Sequence, residues 1–147
     1  MNMNRQGQSC SSTSRVFVHQ NIQNEVIEEL KVLIEKLPVG LPWIESNEVG
    51  PIVSQRQYDK IMDFISSAGR EGATLVSGGG APNDELLSNG FFIQPTIFSN
   101  VKPEMRIARE EIFRPVMSVF KLNDYETLIS EIKGLEFGLT AMIVTNN

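Results

Sequence analysis

A cysteine and a histidine near the amino terminus are the first candidates for nucleophilic chemistry. Cys10 lies in the sequence GQSCSSTSR and is the only cysteine, and His19 is the only histidine. A cysteine attacks as its thiolate, which the charge of Arg15 or the free N–H groups of a turn would favour. An extended chain would hold Cys10 and His19 roughly 20–30 Å apart. We therefore expect His19 to be a surface or capping residue rather than the base of a Cys–His pair.

Adjacent glutamates and a glycine run are the next candidates. Glu110 and Glu111 precede the sequence IFRPV. Such pairs are common on solvated surfaces, but one carboxylate could also face a cleft and accept hydrogen bonds from ligand hydroxyls. Residues 78–80 are all glycine, yet neither GxGxxG nor GxxxxGK occurs, so we predict a turn rather than a phosphate site. Residue types alone leave the roles of Cys10 and of the glutamates open.

The composition excludes several classes of protein. The 147 residues, 41% hydrophobic and 21% charged, suit one compact domain. The net charge of -5 disfavours a nucleic-acid partner, and no apolar run is long enough for a signal peptide or a membrane span. One cysteine and one histidine cannot form a zinc cluster. We expect a cytoplasmic protein, since a lone cysteine suits a reducing compartment.

Hydrophobic periodicity predicts strands alternating with helices, which is typical of an α/β fold with a largely parallel sheet. The predicted strands are 15–19, 73–77, 91–98 with a break at Pro95, 116–122 and 139–145. The predicted helices are 22–37, a second that begins at Ser54 and ends at Gly72, and 124–133, with residues 101–112 partly helical. Because the last apolar strand ends two residues before the chain does, we expect the chain to be part of a larger sheet.

Side-chain pattern also predicts which faces are buried and how the helices begin. Two apolar stripes are expected to face the core: Ile22, Val26, Leu30, Leu33 and Leu37 in the first helix, and Tyr58, Ile61, Met62, Ile65 and Ala68 in the second. Ser54 with Gln57 fits a capping box, and Asn123 with Glu126 would cap the third helix. Residues 73–77 and 139–145 are expected to be buried strands.

Five segments, in order, resemble signature blocks of the aldehyde dehydrogenase superfamily. They are GQSCSSTSRVFVH, VGPIVSQRQYDKIMDFISSAGREGATLVSGGG, GFFIQPTIF, IAREEIFRPVMSV and FGLTAMIVTNN. Their order and spacing hold across essentially the whole chain. Within the first two segments, GQSCSSTSR and VSQRQYDKIMDFI are similar to the betaine-aldehyde and aminoaldehyde members of the superfamily. The resemblance implies a three-layer, parallel-sheet catalytic domain that is incomplete in residues 1–147, running from a nucleophile loop to a late sheet strand, with the cofactor domain absent.

The resemblance also implies a mechanism. Cys10 matches the catalytic nucleophile, whose thiolate attacks an aldehyde to form a thiohemiacetal while its backbone N–H helps to stabilise the oxyanion. Hydride then passes to NAD or NADP, and water hydrolyses the resulting thioester. Glu111 matches the glutamate that binds the nicotinamide-side ribose, and Phe113 matches an aromatic residue near that end of the cofactor. Both side chains would share one face of an extended segment.

Several family features would lie outside this sequence or depart from it. The general-base glutamate, the oxyanion-hole asparagine and the Rossmann-type cofactor domain would precede Met1, and an oligomerisation segment would follow Asn147. Arg114 stands where the family usually has glycine. It would carry a backbone cost if φ is positive there, and if it lies close to the cofactor it could obstruct the site or pair with phosphate. We expect NAD or NADP to be bound by a full-length parent and not by this chain alone. The expected partners are a small aldehyde and further copies of the chain through exposed sheet edges, with no nucleic acid and no membrane.

Three functions follow for this chain. The first is a fragment of an NAD(P)-dependent aldehyde dehydrogenase that is inactive alone. The second is a stand-alone, non-catalytic binding module derived from that fold. The third is cofactor-independent, esterase-like chemistry of the Cys10 thiol. Alkylation of Cys10 no faster than that of a free thiol would favour the second, and ester hydrolysis that persists in Cys10→Ala would exclude the third.

Overall fold

Four strands and four helices are present in the part of the chain that the computed structural model describes, residues 8–113, 115–134 and 138–145. The strands are β1 (Arg15–His19), β2 (Thr74–Ser77), β3 (Thr96–Ser99) and β4 (Val116–Leu122). The helices are α1 (Gln23–Glu35), α2 (Gln55–Arg70), α3 (Arg106–Arg109) and α4 (Tyr125–Lys133), and a 3-10 turn spans Glu85–Leu87. The predicted alternation of strands and helices is confirmed. The expectation for Arg114 lies outside the described residues.

The strands form one mixed sheet in the order β1-β4-β3-β2. β4 pairs in parallel with β1 and with β3, whereas β2 runs antiparallel to β3, with a shift of register between Leu75 and Ser77. The predicted parallel character therefore holds for two of the three pairings. The expectation that 73–77 is a buried strand is wrong, because β2 lies at the sheet edge and leaves Leu75 49% exposed.

Helices cover both faces of the sheet, which gives the three layers that the resemblance implied. On one face, Ile34 of α1 packs on side chains of three strands, namely Val18, Ile97, Met117 and Val119. On the other, Ile61 and Phe64 of α2 pack with Phe98 and Phe120. The rings of Phe17 and Phe120, on the neighbouring strands β1 and β4, stack with centroids 4.7 Å apart. Successive side chains of β1, β3 and β4 point to opposite faces of the sheet and so contribute to two separate apolar clusters.

The helix boundaries follow local capping chemistry. The Ser54 hydroxyl accepts a hydrogen bond from the Gln57 N–H, as expected, and Gly72 follows α2 with φ at +97°. The cap of α4 differs from the prediction. Asp124, not Asn123, has the extended backbone and accepts from the N–H of Thr127. The capping residue must stand immediately before the first helical residue, and that residue is Tyr125.

Two apolar segments differ from their predicted burial. In α1, Ile34 is buried, whereas Leu33 and Ile22 are 54% and 50% exposed. Val26, Leu30 and Leu37 of the predicted stripe do pack against the cluster, as expected, and Ile27 and Ile34 complete the packed row in place of Ile22 and Leu33. Residues 139–145 belong to no strand of the described sheet, and Leu139, Met142, Ile143 and Val144 are exposed. An apolar run becomes a strand only when a neighbour takes up its backbone hydrogen bonds.

None of the helices in the described ranges is long and apolar enough to cross a membrane.

The glycine run forms a turn, as predicted. It follows β2 and contacts the first residue of β3. Gly78 and Gly79 have φ of +76° and +90°, and the Gly79 N–H donates to the Thr96 hydroxyl at 2.9 Å. β3 begins directly after Pro95, whereas residues 91–95 form no strand, so the first half of the predicted strand 91–98 is wrong. A Cβ at Gly78 would overlap with the carbonyl oxygen of Pro95, whereas a Cβ at Gly80 would meet nothing within 4 Å. Glycine is therefore required at position 78 by both conformation and space.

Replacing Gly78 by alanine should destabilise the fold. We expect Gly78→Ala to lower the free energy of unfolding by about 2 kcal/mol, because the left-handed backbone and the close approach both penalise a Cβ. Gly80→Ala is the matched control and should change the free energy by no more than about 0.5 kcal/mol. Chemical denaturation followed by circular dichroism measures both. Equal effects of the two substitutions would contradict this account of the turn.

Candidate functional site

The parallel pairing of β1 and β4 brings the predicted site residues to one end of the sheet. Arg15 lies opposite Ser118, and the Ser118 N–H donates to the carbonyl of Ser14 at 2.8 Å. Segments that precede neighbouring parallel strands enter the sheet at the same edge. Cys10 precedes β1 and Glu111 precedes β4, each by five positions. Two segments about 100 residues apart in sequence thus enter the sheet at the same end of the parallel β1–β4 pair.

Cys10 occupies an exposed turn in the segment before β1. The Ser12 N–H donates to the Ser9 carbonyl at 3.0 Å, which closes the turn around Cys10. The thiol is free and the side chain is exposed. A small electrophile can therefore reach the sulfur. No group of three or more His, Cys, Asp or Glu side chains suited to a metal ion occurs among the described residues.

The two adjacent glutamates have different surroundings, which the sequence alone left open. The Arg106 Nε donates to Glu110 Oε1 at 3.0 Å, an i,i+4 ion pair along α3. Glu110 is thus engaged at the surface. Glu111 is the first residue beyond this pair, and its side chain is exposed. The spacing of Arg106 and Glu110 was visible in the sequence and could have predicted which glutamate is engaged.

Arg106 also joins α3 to α2. Its guanidinium donates to Asp63 Oδ2 and lies 4.1 Å from the ring centre of Phe64. Its backbone N–H donates to Glu71 Oε2 at 2.7 Å. The hydrogen bond from Arg106 lowers the pKa of the Asp63 carboxyl. Sequence analysis missed these contacts, since the partners lie 35 and 43 positions away.

The segment that follows α3 presents Glu111 and Phe113 on its outer side. Ile112, between them, is buried in the cluster that packs against α2. Phe113 is 42% exposed. The alternation of exposed, buried and exposed side chains places both flanking residues away from the core. A carboxylate and an aromatic ring are therefore available to a ligand at this edge.

Arg15 connects the Cys10 side of the site with the Glu111 side. Its Nη1 donates to the carbonyl oxygen of Ala108 at 3.1 Å. Burial lowers the pKa of the Arg15 guanidinium, and the negative charge of Glu111 opposes this shift. Arg15 also lines a cavity of about 140 Å³ with Phe17, Phe120 and Glu131, and burial raises the pKa of the Glu131 carboxyl. Cys10 does not line this cavity.

His19 lies at the opposite end of β1 from the Cys10 segment. The five residues of β1 separate the two, at about 3.3 Å per residue. The Asn21 N–H donates to His19 Nδ1 at 3.3 Å, so the imidazole caps the turn into α1. This geometry agrees with the capping role and not with a Cys–His pair. The Gly78–Gly80 turn likewise uses the Gly79 N–H internally rather than offering it to a phosphate.

Sequence comparisons with known proteins point to one family over nearly the whole length of the chain. A sequence model of the Aldehyde dehydrogenase family matches residues 1–147. The betaine aldehyde dehydrogenases of Brucella ovis and Brucella abortus are each 45% identical over 139 residues, which are 95% of this chain and 28% of theirs. The chain therefore spans just over a quarter of the length of these curated relatives.

Solved structures show the same likeness. The NAD+ complex of the Bacillus cereus aldehyde dehydrogenase superposes with a TM-score of 0.91 at 34% identity, over 99% of this chain and 29% of that one. The aldehyde dehydrogenase of Bartonella henselae has a TM-score of 0.86 at 44% identity, over 91% of this chain and 28% of that one. At these sequence identities and TM-scores, the sequence comparison and the structural comparison indicate the same family.

The Asp63–Arg106 pair should make stability depend on acid pH. The folded-state pKa of Asp63 is lowered, so its stabilisation is complete above about pH 4 and is lost as the pH falls below that value. We expect the difference in unfolding free energy between the unmutated chain and Asp63→Asn to shrink as the pH falls from 6 to 3. Asp59→Asn, one turn earlier on α2, is the matched control, because the Asp59 carboxylate accepts from Gln55 rather than from an arginine. Urea denaturation across this range would contradict the pairing if both variants behaved alike.

Proposed function

The chain belongs to the aldehyde dehydrogenase family, and on that basis we propose that it supplies the catalytic thiol for the NAD(P)-dependent oxidation of an aldehyde to a carboxylic acid. The arrangement that supports the proposal is the entry of the Cys10 and Glu111 segments into the sheet at the same end of the parallel β1–β4 pair. The curated relatives are betaine aldehyde dehydrogenases, so betaine aldehyde is the first substrate to test.

Cys10 is the proposed nucleophile. Its exposed thiol, once ionised, attacks the aldehyde carbon and forms a carbon–sulfur bond, and the carbonyl oxygen becomes an oxyanion. The backbone N–H of Cys10 contributes a donor to that oxygen. After oxidation to the thioester, water cleaves the carbon–sulfur bond, releases the acid and regenerates the thiol. The exposure of Cys10 supports both the entry of the aldehyde and the access of water.

The described residues fit one end of a nicotinamide dinucleotide. Glu111 offers an exposed carboxylate to the two hydroxyls of a ribose, because Arg106 engages Glu110 instead. Phe113 offers an aromatic face on the same outer side. A nicotinamide held by these two residues would supply the hydride acceptor for the oxidation at Cys10. The glycine turn at 78–80 is not proposed as a site for the cofactor's phosphates, since the Gly79 N–H donates to the Thr96 hydroxyl.

We further propose that residues 1–147 are a partial catalytic domain of a longer enzyme. The chain spans 28% of the length of its curated relatives, which leaves room for a cofactor domain and a general base elsewhere in such an enzyme. On this proposal the chain alone does not oxidise aldehydes. Cytoplasmic location and assembly of copies through sheet edges stay predictions from the sequence.

A second function is favoured by one observation. The exposed apolar run at 139–145 suits a stand-alone interaction module with a protein partner. The intact mass of the protein from its native source, with the reading frame sequenced upstream of Met1, separates the two. A larger product whose upstream frame holds a cofactor domain supports the dehydrogenase. A native product of 16.4 kDa, with Cys10 no more reactive than a free thiol, supports the module.

Replacing Cys10 should abolish aldehyde oxidation by the native polypeptide that contains this chain. We expect Cys10→Ser to reduce kcat with betaine aldehyde and NAD+ by about 10³-fold or more, because a hydroxyl is a much weaker nucleophile at neutral pH. Because the Cys10 side chain is exposed, we expect Cys10→Ser to fold normally. Thr13→Ala, exposed in the same segment, is the control and should keep normal kcat. Retention of activity in Cys10→Ser would overturn the assignment.

The two glutamates should differ in their effect on the cofactor. We expect Glu111→Gln to raise the KM for NAD+ about 10-fold, because a ribose diol loses a charged acceptor. Glu110→Gln should leave that KM within about 2-fold, since its carboxylate faces Arg106. Steady-state kinetics of the same native polypeptide measure both. An equal increase in the two variants would refute the division of roles.

A further inference from the structure

Arg15 makes a contact between two segments that are far apart in sequence. Its backbone pairs with Ser118 of β4, and its side chain reaches the carbonyl of Ala108, 93 positions away. Ala108 lies near the carboxyl-terminal end of α3, where helix carbonyls lack partners within the helix. An arginine donor satisfies such a carbonyl and complements the charge at that end. The contact therefore closes one end of α3 against β1.

The other end of α3 is held by α2. The Arg106 N–H, at the first residue of α3, donates to Glu71, and the Arg106 side chain donates to Asp63. A helix of four residues has too few internal hydrogen bonds to be stable alone. Its position is therefore set by its surroundings, namely the burial of Ile107 and Ala108 in the cluster against α2 and the polar contacts at its two ends. Any displacement of α3 is passed directly to Glu111, two residues beyond its end.

We propose that Arg15 is a positioning residue that holds the end of α3 against β1 and thereby fixes Glu111 relative to the Cys10 segment. The attraction between the Arg15 and Glu111 charges acts in the same direction as the hydrogen bond. The holding contact follows from the geometry alone, whereas its consequence for cofactor binding rests on the proposed function. Arg15 itself touches no reacting atom in this scheme.

Three substitutions separate the donor and charge of Arg15 from its packing. Arg15→Met keeps an apolar stem beside Phe17 and Phe120 but removes the donors and the charge. Arg15→Lys keeps a charge and a donor. Arg56→Met removes an exposed arginine of α2 and is the matched control. The measurement is amide hydrogen exchange on the whole chain, with no aldehyde or cofactor present, read at the Glu110 N–H, which donates to the Arg106 carbonyl at 3.0 Å.

We expect Arg15→Met to speed exchange at Glu110 about 10-fold, because α3 loses its hold on β1. Arg15→Lys should recover at least about half of the lost protection at Glu110, when protection is expressed as the logarithm of the exchange rate. Amides of α1 and α2, and Arg56→Met throughout, should match the unmutated chain. Unchanged exchange in Arg15→Met, a uniform loss of protection in every helix, or no rescue by Arg15→Lys would each overturn the proposal.

A measurement on the unmutated chain keeps the proposal testable if Arg15→Met does not fold. We expect nuclear Overhauser contacts between the Arg15 Hδ protons and the Ala108 methyl group, and their absence would overturn the proposal. Neither experiment involves catalysis. Failure of Cys10→Ser to abolish oxidation would therefore count against the proposed function and leave this positioning role unaffected.

Discussion

Parallel pairing of β1 with β4 is the constraint on which the arrangement of the site depends. Local patterns form each strand, but only this pairing makes the segment before β1 and the segment before β4 neighbours. The register, with Arg15 opposite Ser118, also decides which residues of the two segments stand level. Phe17 and Phe120 stack across the same pair of strands, so the apolar core below the site reinforces the register that the backbone hydrogen bonds define.

The edge of the site is built from weak contacts on a short element. Asp63 is 56% exposed, and such surface ion pairs contribute little individually. Several contacts acting on one helical turn still define a single position, because each restricts a different end or side of α3. Burial of Ile107, Ala108 and Ile112 anchors the inner side of the same segment in the core. Glu111 and Phe113 are therefore presented on the outer side of a segment whose inner side is packed.

Sequence patterns predicted the elements better than their surroundings. Ser54 and Gly72 were predicted because their hydrogen-bond partners are close in the chain, and the glycine turn was predicted because three consecutive glycines favour positive φ. Leu33 and the run 139–145 were misjudged because apolar composition does not specify which neighbour is present. The contacts of Arg106 with Asp63 and Glu71 had no local signal. Family resemblance supplied Cys10, Glu111 and Phe113, and family membership is now established.

The exposed run at 139–145 has a consequence for the fate of the polypeptide during synthesis and handling. Seven residues, LTAMIVT, carry no charge and no proline and are rich in side chains that favour cross-β stacking. Association between such runs of different chains becomes faster as the protein concentration rises, whereas the folding rate of a single chain does not depend on concentration. Warm, concentrated preparations of this chain are thus expected to lose material to amorphous or fibrillar deposits.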